Sequence, residues 1–77
     1  MRYYYFSTEW CGPCKAIKPL VMASGRPVSF IDADANKELA TKFNVRSVPT
    51  VVGVNGDTVT ERYTGAASIQ SWLNTKN

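Results

Sequence analysis

Seventy-seven residues with two cysteines and no histidine allow one small domain spanning 1–77, and they rule out a structural zinc site within a single chain, which takes four Cys or His donors. Nine basic against six acidic residues give a net charge of +3 spread along the chain, without the basic cluster and interleaved aromatics of a nucleic-acid surface. No apolar run approaches the ~18–20 residues that cross a bilayer, and Met1-Arg2 leads straight into aromatics with no signal-peptide core.

Arg2 to Ser7 reads as a first, central strand, apolar on both faces, which suits a parallel strand covered by helices above and below. Pro13 to Ser24 reads as a helix with Ile17, Leu20, Val21 and Ser24 on its buried face, and Lys15 and Lys18 pointing elsewhere. Pro19 removes one backbone donor and predicts a kink; Gly25 and Pro27 stop the helix. Val28 to Asp32 is a second strand, parallel to the first through a right-handed crossover. Asp34 or Asn36 can cap a short helix that buries Leu39, Ala40 and Phe43, and Asn44 follows where a left-handed residue ends it. Thr50 to Val54 and Thr58 to Tyr63 form a hairpin around Asn55-Gly56-Asp57. Ile69, Trp72 and Leu73 mark one face of a closing helix. The order β-α-β-α-β-β-α predicts an α/β fold, a four-stranded mixed sheet with helices on both faces.

The chemistry concentrates in Trp10-Cys11-Gly12-Pro13-Cys14, which holds both cysteines. A Cys-x-x-Cys between a strand and a helix is the pattern of a dithiol that cycles with its disulfide. Thiolate attacks, so the leading cysteine needs a lowered pKa, and a helix N-terminus supplies it through unpaired N–H groups and partial positive charge. With Cys11 as N-cap, Pro13 has no N–H to give, and the Cys14 amide becomes the donor to the Cys11 sulfur. Gly12 lets a partner backbone come close, and Pro13 stiffens the first turn. Cys11 is expected to be exposed and to attack; Cys14 is expected to be shielded and to resolve the mixed disulfide. A bridge this short adds little chain-entropy stabilisation, so reactivity explains the pair better than stapling does. The setting expected is a reducing cytoplasm, with no bound metal or cofactor. Asp32, Asp34 and Glu38 read as a helix cap and a solvated face rather than paired catalytic carboxylates, and Gly56 as a turn glycine.

Trp-Cys-Gly-Pro-Cys resembles the active-site motif of the thioredoxins, and Lys15 and Pro19 fall where that family has a lysine and a kinking proline. Ile31-Asp32-Ala33-Asp34 and Phe43-Asn44-Val45-Arg46-Ser47-Val48-Pro49-Thr50 resemble its second segment, and Gly65 a glycine before its last helix. The resemblance covers residues 5 to 73 and looks like a shortened thioredoxin fold without the extra N-terminal strand and helix. It implies a cis Val48–Pro49 bond, with the Val48 backbone free to pair with an extended substrate. It also implies a flat docking surface of Trp10, Gly12, Pro13, Val48, Pro49, Gly65 and Ala66. The implied activity is that of an enzyme, a protein disulfide reductase. Its partners would be disulfide-bearing proteins and a thioredoxin-reductase-like donor or small thiols, and the protein would be monomeric.

Three positions depart from the family. Tyr5 stands where a buried aspartate helps the resolving thiol lose its proton, Ser7 where a tryptophan is usual, and Phe30 where a lysine partners that aspartate. An apolar repacking is expected there, with Cys14 deprotonated through water, helped by exposed Glu9 or the Tyr5 hydroxyl; for Tyr5 a purely structural strand role is the favoured expectation. A glutaredoxin-like, glutathione-served enzyme is the alternative within the same chemistry, although that family prefers Pro-Tyr between its cysteines and a lysine where Thr8 stands. A non-enzymatic binding subunit is the alternative from another class.

Overall fold

The computed structural model describes residues 2–75; the expected span of 1–77 also takes in Met1, Lys76 and Asn77, which lie outside them. Seven elements follow the expected order: β1 (Arg2–Ser7), α1 (Gly12–Ala23), β2 (Val28–Asp32), α2 (Lys37–Lys42), β3 (Thr50–Asn55), β4 (Thr58–Thr64) and α3 (Ala66–Leu73). The strands form one sheet in the order β2-β1-β3-β4. β1 runs parallel to β2, with Tyr5 opposite Phe30, and antiparallel to β3, with Tyr5 opposite Val51.

Alternation along β1 divides the core in two, because successive side chains of a strand point to opposite faces. Tyr3 and Tyr5 pack with Val51 against Ile17 and Val21 of α1 and Ile69 and Trp72 of α3. Phe6 packs with Val52 and Val54 against Ala40 and Phe43 on the other face. Both faces are thereby covered, as the two-sided apolar pattern requires. No helix among the described residues is long and apolar enough to cross a membrane.

Local details depart from expectation in instructive ways. α1 starts one residue early, runs through Pro19, and buries Cys14, Ile17 and Val21, whereas Leu20 and Ser24 are exposed. Around the helix axis Cys14 and Val21 lie about 60° and 40° to one side of Ile17, and Leu20 lies about 60° to the other. The helix offers the sheet and α3 only the narrower stripe. Neither Asp34 nor Asn36 caps α2 with its side chain. Asp32 organises the loop instead, its Oδ1 accepting the Asp34 N–H at 2.9 Å, while Asn36 Nδ2 donates to the Asp32 carbonyl at 3.0 Å. Asn44 does take the left-handed conformation, at φ 56°.

The hairpin between β3 and β4 turns on Gly56, at φ 66°, a two-residue loop with Gly at the first central position. Further along, Gly53 pairs with Glu61 but Val54 pairs with Val59, so Thr60 bulges from β4.

Candidate active site

β1 and β2 end side by side at Ser7 and Asp32, and the site is built on the chain that leaves these two carboxyl ends. After β1 the backbone turns at Thr8, whose carbonyl accepts the Cys11 N–H at 3.4 Å. Cys11 is the N-cap of α1, extended at φ −84° and ψ 110°. Its Sγ accepts the Cys14 N–H at 3.1 Å, the bond that the missing N–H of Pro13 leaves to Cys14. The two sulfurs are joined in a disulfide with their Cα atoms 5.2 Å apart.

The expected contrast between an exposed Cys11 and a shielded Cys14 is not found in this oxidised form: the residues are 5% and 2% exposed. Both sulfurs are drawn against the first turn of α1 by their mutual bond. What the surface presents is Gly12, Pro13 and, above all, Trp10, which is 71% exposed. The Trp10 indole Nε1–H donates to Asp34 Oδ2 at 2.8 Å, which ties the loop after β1 to the loop after β2.

Behind the disulfide, Tyr5 is fully buried and its hydroxyl donates to the Cys14 carbonyl at 2.9 Å. Burial pushes its pKa up to about 12, so at neutral pH it is a donor and not a base. Phe30 meets the Tyr5 ring edge-on at 5.5 Å, yet it sits at the surface with the Lys18 ammonium 5.6 Å from its centroid. The repacking is therefore apolar within the core and cation–π at the rim. Cys14, Glu9, Lys18, Phe30 and Asp32 line one cleft of about 540 Å³, an open route by which water reaches the neighbourhood of the second cysteine.

The loop before β3 supplies the other side. Val48–Pro49 is cis. Pro49 is buried and its carbonyl accepts the Gly65 N–H at 2.8 Å, while the Ser47 carbonyl accepts from Thr50 Oγ1 at 2.7 Å. The Val48 N–H and carbonyl make no hydrogen bond among the described residues. Gly65, at φ 91°, and Ala66 open α3 and are half-buried. Trp10 and Val48 line a common groove of about 600 Å³, so these two expected docking residues are brought together. Pro49 is buried and joined to half-buried Gly65 through their backbone hydrogen bond, and neither lines that groove.

Sequence reasoning named only Trp10 and Val48 of that groove as docking residues, and Thr8, Lys37 and Arg46 are among those it missed. Thr8 is 7% exposed, and its Oγ1 has no partner among the described residues; its only signal was its place three before Cys11. Lys37 and Arg46 also line it, and nothing local distinguishes them from any surface cation. Among the described residues no three His, Cys, Asp or Glu side chains converge as metal ligands would.

The thioredoxin family model matches residues 4–75. Thioredoxin C-3 of Corynebacterium nephridii is 45% identical over 73 residues, which cover 84% of this chain and 50% of that protein. The bifunctional thioredoxin reductase/thioredoxin of Mycobacterium leprae is 37% identical over 67 residues, 79% of this chain and 15% of its own length. The structure of thioredoxin 1 from Thermosipho africanus superposes with a TM-score of 0.82 at 26% identity, covering 96% of this chain and 88% of that one. The chain spans about half the length, or less, of these curated relatives.

Proposed function

The chain belongs to the thioredoxin family, and from that premise we propose that it is a protein disulfide reductase working by dithiol–disulfide exchange. In the reduced protein the Cys11 thiolate attacks a substrate disulfide. A Cys11–substrate bond forms, the substrate bond breaks, and one substrate sulfur leaves and takes a proton. Cys14 then loses its proton and attacks Cys11 Sγ, forming the 11–14 bond and releasing the second substrate thiol. Two electrons pass from the protein to the substrate. The observation that carries this reading is the Cys14 N–H aimed at Cys11 Sγ at 3.1 Å on the first turn of α1. The same donor and the helix N-terminus favour the thiolate once the bond opens.

Trp10, Gly12, Pro13, Val48 and Ala66 form the docking face in this proposal, and buried Pro49 with Gly65 holds the Val48 backbone open for pairing with an extended substrate segment. Glu9 and water in the cleft beside Cys14 take its proton. The oxidised pair is returned to the dithiol by a reductase of the kind fused to the Mycobacterium leprae relative, or by small thiols. The protein works as a monomer in the cytoplasm. The glutathione-served alternative is not favoured, since the family matched is the thioredoxin one.

The test is the reduction potential of the Cys11–Cys14 pair, equilibrated against glutathione redox buffers and read by mass shift after thiol alkylation. A potential well below the cytosolic glutathione poise is expected of an electron donor; one at or above that poise overturns the reading. Cys11→Ser, Cys14→Ser protein that still supports the biological activity would make binding, not exchange, the function.

A further inference from the structure

We propose that the groove between Trp10 and Val48 selects protein substrates whose disulfide is flanked by an acidic segment, with Lys37 and Arg46 as the specificity-determining cations. The inference rests on the reductase reading and names the substrate class of that same site.

The groove has an apolar floor and a charged rim. Val45 and Val48 are half-buried within it, and Trp10 forms a wall. Its ionisable lining is Asp34, Lys37 and Arg46, and the three are not equally free. Asp34 already accepts from the Trp10 indole at 2.8 Å. Lys37 makes no ion pair among the described residues, and Arg46 reaches only the neutral Asn44 Oδ1, at 3.2 Å. The single salt bridge among those residues, Lys42 to Asp57 at 3.9 Å, belongs to another part of the surface. The groove therefore carries two cations without a carboxylate partner and one carboxylate held in place by a neutral indole, and the cations outnumber the acid two to one.

A further observation points to a peptide as the occupant. The Val48 N–H and carbonyl are unpaired among the described residues, which suits an extended backbone laid alongside. Thr8 also borders this space, but its hydroxyl is itself buried, so the peptide reading rests on the Val48 backbone and the charged rim. Side chains of an extended segment alternate, so residues i and i+2 lie on one side, about 6.6 Å apart. One of them can rest on Val45 and Val48 while the next carries a carboxylate to the rim. Two cations over an apolar floor do not resemble the basic stripe that tracks a phosphate backbone. Exposed ion pairs contribute only about 0.2–1 kcal/mol each, so the preference is a modest, salt-sensitive one.

The test uses disulfide-linked peptides identical except for two positions beside the cysteine, which carry Glu, Gln or Lys. The reduced protein is expected to reduce the Glu peptide about tenfold faster than the Lys peptide at low salt, with Gln between and the ratio shrinking at high salt. In Lys37→Glu, Arg46→Glu protein the ratio reverses. Equal rates for all three peptides, or the same ratio in the double variant, overturn the proposal, as does oxidised glutathione reduced as fast as the Glu peptide. If no peptide is reduced, the reductase reading itself fails. Fluorescence anisotropy of labelled, cysteine-free Glu and Lys peptides on the oxidised protein then decides the groove alone. Tighter Glu binding that the double variant loses supports the proposal, and equal binding sinks it.

Discussion

A phenol stands at position 5 where the family resemblance implies a carboxylate, and its hydroxyl is spent on the Cys14 carbonyl. Replacing Tyr5 by Phe removes that hydrogen bond without opening a cavity, so a loss of about 0.5–1.5 kcal/mol in urea unfolding is expected. Insulin-reduction turnover should stay near that of the parent; a large drop would return the hydroxyl to the chemistry. Tyr5 also couples stability to alkaline pH. Burial raises its pKa from 10.0 to about 12, and Tyr63, whose hydroxyl donates to Glu61 Oε1 at 2.6 Å, is raised to about 12 chiefly by that bond. Between those values the unfolded chain has already lost protons that the folded chain keeps. Stability is thus fully present below about pH 10 and is lost as the pH rises towards 12. Melting temperatures across that window should fall, and Tyr5→Phe should flatten part of the fall.

Among the glycines, Gly53 of β3 is the one with no room for a side chain. A Cβ on Gly53 would stand 2.9 Å from Tyr3 Cε1 and 3.2 Å from Glu61 Cβ, and the Tyr3 ring cannot swing away freely because it packs on Trp72 with centroids 4.9 Å apart. Gly53→Ala is expected to cost about 1–3 kcal/mol as overpacking, read as a lower urea midpoint. Element identity was legible in the sequence because period-2 and helical patterns are local, and Cys11 as N-cap was legible because capping is decided within four residues. Leu20 and Asp34 were misjudged, and Asn36 holds the N-cap position of α2 without a side-chain cap bond, where a choice between near neighbours rests on packing or on Asp32 reaching a backbone N–H two residues on. The burial of Cys11 depends on the disulfide and the loop around it. The meeting of Lys37 and Arg46 with Trp10 depends on α2 lying across the sheet, and no local spacing announces that.

At the scale of the whole molecule, the site lies where the parallel pair β1 and β2 ends, so its two loops are anchored by neighbouring central and edge strands. The disulfide closes a loop too short to hold such a fold together. Chain entropy assigns it at most about 2 kcal/mol, so reduced protein should keep its cooperative unfolding with a urea midpoint only moderately lower. Collapse on reduction would mean that the bridge is structural. The placement of the two tryptophans has an optical consequence. Trp72 is 3% exposed in the aromatic cluster with Tyr3 and Tyr63, whereas Trp10 is 71% exposed and next in sequence to Cys11. Their indoles sit in media of opposite polarity. The molecule therefore carries two native emitters: a blue one that reports whether the chain is folded, and a red one beside the sulfurs that reports what has come to rest on them.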